Sequence, residues 1–173
     1  MQINLKPIKV KDVFDQFVDN GEDGVFGYHS QLAIRPKYQR EFIYDEPHQQ
    51  AVIDTVINQL PLNTMYWSVS RDDQTNKPIL TKDGKQKYEL LDGQQRILSI
   101  CYFLMNKFSY QSKTAYNLKS TTPDVYDHIM NYELQVYICD GTVSEKLKWF
   151  RTINTAGIPK SDRSHVVLWA KEL

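Results

Sequence analysis

Apolar positions along the chain follow two different spacings, which predict a mixture of helices and strands. Helical spacing of three and four residues occurs in four segments, at residues 10–19, 45–59, 94–105 and 144–153. Short apolar or alternating runs, typical of strands, occur at residues 31–34, 65–69, 88–91 and 134–139. A last helix is predicted from Ser161 onward, whereas residues 108–127 give no clear pattern. The mixture indicates an α+β domain, with a small mixed sheet surrounded by helices.

Turn and cap residues support these elements. Asp45-Glu46-Pro47 is typical of a helix start, because a carboxylate caps the first turn and proline fits its geometry. Asp92-Gly93 predicts a tight turn from a strand into helix 94–105, whose apolar residues occupy most sides and indicate burial. Residues 71–86 are polar and contain Asp83-Gly84, so they predict an exposed, hairpin-like connection.

Chain length indicates the number of domains, and net charge limits how the protein can attract a nucleic acid. The 173 residues suit one domain, 1–173, in which 144–173 form a helical C-terminal extension. Basic and acidic side chains number 21 each, so the formal net charge is zero. Whole-molecule attraction to DNA is therefore not implied, and any contact with a nucleotide or nucleic acid must come from a local cluster.

Cysteine usage and hydropathy indicate a cytoplasmic protein. Cys101 and Cys139 each lie in an apolar run, which favours buried free thiols over the alternative, a disulfide between them. Residues 1–7 lack the apolar core of a signal peptide. No window approaches the ~20 apolar residues of a membrane span.

Several common site classes are not supported. The chain has neither a GxxxxGK[ST] loop nor a GxGxxG turn. Its four histidines and two cysteines lack metal-ligand spacing, so a zinc site is not expected. No serine or cysteine nucleophile stands out beside a base.

The turn Asp92-Gly93-Gln94-Gln95-Arg96 carries the strongest local signal for chemistry. Gly93 permits a tight turn, and the helix that follows offers free amides and a positive dipole end to an anion. Arg96 can fork onto a phosphate, while Gln94 and Gln95 can donate to phosphate oxygens. Asp92 is a candidate metal ligand or general base. The alternative is an ordinary turn with Asp92 as a helix cap; two glutamines and an arginine favour the anion site.

Two other segments are weaker candidates. The loop Arg35-Pro36-Lys37-Tyr38-Gln39-Arg40 interleaves three cations with an aromatic ring, as nucleic-acid and nucleotide sites do. By itself, however, a solvated basic loop is the favoured interpretation. Asn154-Thr155-Ala156-Gly157 predicts a loop that can contact a ligand, although an Asn or Gly helix C-cap is favoured there.

Three sequence elements in this order match a known family. Ile34 to Phe42, Leu90 to Leu98 and Phe150 to Gly157 resemble the P-x-Y-Q-R, D-G-Q-Q-R and third, asparagine-containing motifs of the N-terminal domain of GmrSD-type restriction endonucleases. That domain belongs to the ParB/sulfiredoxin-like superfamily. The resemblance covers about Leu32 to Lys160. It departs at Arg35, where the family has isoleucine before the proline, and at Ala156, which interrupts the third motif.

The resemblance implies a ParB-like α+β fold, nucleotide binding and, in some members, NTP hydrolysis that controls DNA cleavage. The residues that match the family's motifs, Tyr38, Gln39, Arg40, Gly93, Gln94 and Asn154, are the predicted nucleotide- and phosphate-binding residues. If the chain hydrolyses an NTP with Mg²⁺, Asp92, Gln95 and Arg96 are the predicted catalytic residues, and Asp92 is predicted to hold the metal.

Restriction members continue into a helical region and a His-Asn-His nuclease domain, and no such nuclease motif is present in these 173 residues. Self-contained DNA cleavage is therefore not expected. Three interpretations stay open: an NTP-binding and hydrolysing module of a restriction or phage-conflict system, a non-catalytic DNA or nucleotide sensor that acts with a separate nuclease subunit, and an inactive remnant of a larger gene.

Overall fold

The structure is a computed structural model that describes residues 1–35 and 42–157, without the side chains of Phe150 and residues 153–157. Its strands are β1 (Gln2–Lys9), β2 (Val18–Asp19), β3 (Val25–Gly27), β4 (Leu32–Arg35), β5 (Met65–Val69), β6 (Tyr88–Asp92) and β7 (Glu133–Asp140). Its helices are α1 (Val10–Phe14), α2 (Glu46–Ile57), α3 (Gln94–Leu104), α4 (Ala115–Thr121), α5 (Pro123–Asn131) and α6 (Val143–Gly157).

Within the described ranges, seven strands form one mixed sheet in the order β1-β7-β5-β6-β4-β3-β2. The pairs β5–β7 and β4–β6 are parallel, and the remaining neighbours are antiparallel. The α+β class is confirmed. Because β4 and β6 run side by side in the same direction, their carboxyl ends lie at the same edge of the sheet. That edge is termed the β4/β6 edge below.

Alternation along the strands gives the sheet two different faces. One face is apolar and is built from alternate residues such as Leu32 and Ile34, Met65 and Trp67, Leu90, and Val136. Helices α2, α3 and α5 pack their own apolar residues against it, with Ile53, Ile97, Phe103 and Ile129 fully buried. The opposite face carries the intervening residues, including Tyr66, Ser68 and Tyr137, and α6 contacts it through Lys146 and Trp149.

Most predicted elements are confirmed within one or two residues. Asp45 caps α2 by accepting a hydrogen bond from the amide of His48, and the polar connection 71–86 is exposed. Both cysteines are buried and free, so the alternative of a disulfide is wrong. In the described part of the chain, no helix has the length and apolarity that crossing a bilayer requires.

The predicted helix 10–19 is wrong beyond Phe14. There α1 ends, Gln16 takes a left-handed backbone with φ of 56°, and the chain enters β2. The apolar residues after Phe14 serve strand packing instead of a helix face: Phe17 stacks on Phe14 with ring centroids 5.9 Å apart, and Val18 pairs with Phe26 of β3. Beyond β2, the chain forms a short 3-10 helix, Gly21–Asp23, and then strand β3.

The predicted loop at Asn154–Gly157 is also wrong, because α6 continues through these residues. Asn154 and Gly157 are of residue types that often end a helix. Inside a helix, however, asparagine and threonine each lower helix stability by only about 0.5 kcal/mol relative to alanine. The start of α6 is fixed by a reciprocal cap, in which Glu145 accepts from the Thr142 amide and Thr142 accepts from the Glu145 amide. The loop residues from 158 onward, and the helix predicted from Ser161, lie outside the described residues.

Candidate functional site

The two motif-bearing segments leave the sheet at the same place. Strand β4 ends at Arg35, where the basic loop begins, and its parallel neighbour β6 ends at Asp92, where the turn into α3 begins. Open sheets commonly bind ligands outside the carboxyl ends of adjacent parallel strands, because loops and helix N-termini converge there. The β4/β6 edge is therefore the candidate site.

Gly93 shapes the turn between β6 and α3. Its φ of 104° is in the left-handed region that favours glycine. A Cβ at this position would lie 2.7 Å from the Met65 Cγ atom, and Met65 is fully buried. No described side chain caps the helix that starts here. Glycine thus lets the chain enter α3 directly from the sheet, over the buried Met65 side chain.

Gln95 joins this turn to the far end of the basic loop. Its Oε1 atom accepts hydrogen bonds from the amides of Ile43, at 3.0 Å, and Tyr44, at 3.1 Å. The segment that carries the first motif leaves at Arg35 and returns at these two amides. Both of its ends are therefore anchored beside the first turn of α3, although Tyr38, Gln39 and Arg40 themselves lie outside the described residues.

Asp92 and Arg96 form an ion pair, with 3.0 Å between Oδ2 and Nη2. The Arg96 guanidinium also donates to the backbone oxygens of Asn63 and, at 3.3 Å, Thr64. The Arg96 side chain is only 16% exposed, whereas that of Asp92 is 43% exposed. Arg96 thus ties α3 to the segment that leads into β5, and the Asp92 carboxylate is the more accessible member of the pair.

Arg35 points away from the site. Its Nη2 atom donates to the Gly21 oxygen at 2.9 Å and lies 3.8 Å from the Asp19 carboxylate, across the turn before β3. The interpretation of Arg35 as a phosphate ligand is therefore not supported by its position. The other basic residues of that loop, Lys37 and Arg40, are not described.

Helix α6 runs toward the same edge. Lys146 contacts β5 at Ser68 and Val69, and Trp149 contacts it at Tyr66, so the helix is directed toward the start of β5. Tyr66 lies opposite Asp92. Asn154 follows Trp149 by five residues, about 7.5 Å of helix. The α6 backbone therefore carries the third motif past the level of Asp92.

An aromatic cluster lies next to Asp92 on the face of the sheet that α6 contacts, termed the α6 face. Tyr66 stacks on Tyr137 with ring centroids 5.5 Å apart and meets Trp149 edge-on at 5.3 Å. All three rings are partly exposed. Sequence reasoning missed this cluster because the three aromatic residues come from three separate elements, and only the register of β5 and β7 brings them together.

Lys146 is a second feature that sequence reasoning missed. Its side chain is 4% exposed, and its ammonium donates to Ser68 Oγ and to the Val69 oxygen, both at 2.7 Å. Desolvation lowers the pKa of Lys146, and the carboxylates of Glu89 and Asp140 oppose that shift. A lysine on an otherwise polar stretch of helix is normally exposed, so the sequence held no signal for its burial.

No cluster of three or more potential metal-ligating side chains occurs among the described residues. Asp92 is thus a single carboxylate, without a preformed set of protein ligands around it in the described ranges.

Comparison with known protein families identifies the family of the chain. A family model described as the GmrSD restriction endonuclease, N-terminal domain, matches residues 14–165. The chain belongs to this family. The match spans all three motif segments and relates the chain to components of restriction systems. No curated protein and no solved structure matches it.

Proposed function

We propose that the chain is a nucleotide-binding module of a restriction or phage-defence system and that the β4/β6 edge holds the phosphates. The observation that carries this proposal is the Gln95 hydrogen bonding to Ile43 and Tyr44, which fixes the first-motif loop beside the start of α3. Two segments distant in sequence are thereby held around one helix N-terminus. Such an arrangement suits an anion because amides and basic side chains approach it from two sides.

In this proposal, the first turn of α3, at Gly93 and Gln94, binds phosphate oxygens through backbone and side-chain donors. Tyr38, Gln39 and Arg40 close the site from the loop, and Asn154 does so from α6. Gln95 positions the loop and can orient a water with its remaining amide group. These contacts suit a nucleoside triphosphate better than a lone phosphate, because the three segments form an extended rather than a point-like site.

The Asp92–Arg96 pair suggests how NTP and Mg²⁺ would be accommodated. A phosphate that attracts the Arg96 guanidinium would compete with Asp92 for it. The released carboxylate would then be available to the Mg²⁺ ion that accompanies the phosphates, which is how Mg²⁺ is usually bound. Asp92, Gln95 and Arg96 are therefore the proposed catalytic residues if water attacks the terminal phosphate to give NDP and inorganic phosphate.

A thermal-unfolding titration with each NTP, with and without Mg²⁺, tests the proposal. A ligand at 100 times its Kd stabilises the native state by about 2.7 kcal/mol. We expect Arg40→Ala to weaken nucleotide binding by roughly 10- to 100-fold, the usual range for a charge-assisted hydrogen bond. Lys113→Ala is the matched control, because Lys113 is exposed and lies beyond the far end of α3, about 16 Å along the helix. If no nucleotide raises the unfolding temperature, the proposal fails.

A second candidate is a non-catalytic sensor that binds nucleotide or DNA and acts with a separate nuclease subunit. The Asp92–Arg96 ion pair favours this candidate, because the carboxylate and the guanidinium that are proposed for catalysis are already paired with each other. Phosphate release separates the two candidates. A hydrolase loses turnover in Asp92→Asn while it retains nucleotide binding, whereas a sensor is stabilised by nucleotide and shows no turnover before or after the substitution.

A further inference from the structure

The connection between β5 and β6 is a small, separate antiparallel structure at the opposite end of the sheet from the β4/β6 edge. Residues 70–72, 77–81 and 85–87 form three short extended segments, termed the basic meander. The Ile79 amide donates to the Ser70 oxygen, and the Ile79 oxygen accepts from the Lys87 amide. Residues 77–81 are therefore the middle segment, bonded on both sides.

Side chains fix both turns of the basic meander. The Asp72 carboxylate accepts from the amides of Gln74 and Thr75, at 3.1 and 2.7 Å. In the second turn, Thr81 Oγ1 donates to Asp83 at 2.5 Å and accepts from the Lys85 amide at 3.0 Å. An exposed segment held this way presents its side chains on an ordered backbone, which lowers the entropy lost when a partner binds.

Three lysines share one face of this structure. Leu80 pairs with Gln86, so Ile79 lies opposite Lys87 and Thr81 lies opposite Lys85. Side chains alternate along a strand, so Lys77 lies on the same face as Ile79. Lys87 lies on this face too, directly across from Ile79. The side chains of Lys77, Lys85 and Lys87 are all exposed, and Ile79 among them is 39% exposed.

The positive charge of the basic meander is only partly balanced locally. Residues 70–87 contain five basic side chains and three acidic ones, Asp72, Asp73 and Asp83, in a chain whose net charge is zero. Asp83 pairs with Lys85 at 3.3 Å, and Asp72 is engaged in its turn. Lys77 and Lys87 therefore extend a positive potential outward from the far end of the sheet.

We propose that the lysine face of the basic meander binds the phosphate backbone of duplex nucleic acid. Lysine is depleted at protein–protein interfaces but is a frequent ligand of backbone phosphates, so a lysine-rich face with a single isoleucine favours nucleic acid over an acidic protein. The segment 70–87 contains no aromatic residue, whereas single-strand sites stack bases on aromatic rings. A duplex is therefore the favoured form.

This surface is independent of the proposed nucleotide site. Strand β5 separates the two ends of the sheet by about 17 Å, so both ligands can be bound together. The proposal gives the module a contact with DNA that carries no sequence preference, because backbone phosphates are the same for every sequence.

Fluorescence anisotropy with a labelled short DNA duplex, measured over a salt series, tests this proposal. The test variant is Lys77→Gln/Lys85→Gln/Lys87→Gln. The matched control is Lys11→Gln/Lys113→Gln/Lys119→Gln, which removes the same charge from exposed positions on other elements. We expect the test variant to lower the slope of log K against log salt by about 2 to 3, since each lost phosphate contact contributes about 0.9. The control should keep the slope of the parent protein.

Equal loss in both variants would show a response to net charge alone and would overturn the proposal, as would an absence of duplex binding by the parent protein at low salt. Polyglutamate binding that matches duplex binding and is lost in the same variant would assign the face to an acidic protein and would also overturn it. Thermal unfolding of each variant checks that the fold is retained. Nucleotide-induced stabilisation should be unchanged in the test variant, which separates this surface from the β4/β6 edge.

Discussion

The two faces of the sheet are built from neighbouring residues of the same strands, yet one is apolar and fully buried whereas the other is more polar and partly exposed. On the apolar face, Trp67 and Met65 are fully buried among side chains from α2, α3 and α5. On the other face, Tyr66 is partly exposed and Ser68 receives a hydrogen bond from a buried lysine. Adjacent residues of β5 therefore have different roles: Trp67 belongs to the core, whereas Tyr66 lies beside Asp92 at the candidate site.

This difference shows how the domain separates folding from function. The apolar face holds the core and needs close packing, which penalises almost any change of volume. The α6 face holds polar and aromatic groups and leads toward Asp92 at the β4/β6 edge. Substitutions on the apolar face should act on stability, and those on the α6 face should be tolerated better by the fold.

The largest effect is expected at Trp67. Trp67→Ala removes a fully buried ring that contacts Tyr28 at a centroid distance of 5.1 Å, and should lower the free energy of unfolding by about 3–5 kcal/mol. Its neighbour on the other face provides the comparison, since Tyr66→Ala should cost no more than about half as much because that ring is partly exposed. Urea unfolding followed by circular dichroism measures both.

Trp67→Phe sharpens this comparison. The Trp67 indole N–H finds no acceptor among the described residues, so replacing it with phenylalanine removes an unsatisfied donor together with some volume. Trp67→Phe should therefore lower the free energy of unfolding by much less than Trp67→Ala does. Equal losses for Tyr66→Ala and Trp67→Ala would contradict the distinction between the two faces.

A smaller loss is expected at Gly93, where the chain passes from the sheet to the helix on the apolar face. Gly93→Ala combines a left-handed φ of 104° with a contact of 2.7 Å to the buried Met65 side chain, and should cost about 2–4 kcal/mol. Gly84→Ala is the control, because Gly84 has a φ of 80° but nothing within 4 Å of its Cβ position. It should cost only about 1 kcal/mol of backbone strain. Similar losses at both positions would show that Met65 moves aside.

The sequence predicted much of the fold because local signals and packing agree in the central elements. Helix α3 is apolar on most sides and is buried, and the Asp45 cap and the Asp92-Gly93 turn lie where residue type placed them. Strand β1 escaped prediction: it is an edge strand with six exposed residues, and its polar sequence contains a proline. Its pairing with β7 is long-range, and no local pattern reports it.

The candidate site was predictable only in part. Gly93 and the start of α3 follow from local residue types. The link from Gln95 to Ile43 and Tyr44 joins residues more than fifty positions apart, and backbone amides leave no trace in a sequence. Arg96 looked like a phosphate ligand, but it pairs with Asp92, four residues earlier, and donates to the backbone oxygens of Asn63 and Thr64, which only the fold brings within reach. The roles of Asp92, Gln95 and Arg96 in catalysis stay predictions.

The smallest effect, and the sharpest test of the α6 face, concerns Lys146. Lys146→Met removes a desolvated ammonium and keeps most of the side-chain volume, so stability near neutral pH should change by less than about 1 kcal/mol. Ser68→Ala instead keeps the ammonium and removes one of its two partners, which should cost about 1–3 kcal/mol. Removing the hydroxyl should thus be worse than removing the charge. The reverse order would mean that the ammonium contributes net stability.

The pH dependence distinguishes desolvation from simple packing. Because the folded state lowers the pKa of Lys146 below its ordinary value of 10.5, the unfolded chain binds more protons than the native chain between the two values. Stability must therefore rise as pH increases through that interval, and Lys146→Met must lose this part of the rise. Urea unfolding of the two proteins from neutral pH up to pH 10.5 measures the difference. A constant difference over this range would show that the Lys146 amine is as well solvated in the native state as in the unfolded chain, and the contrast between the two faces would then rest on packing alone.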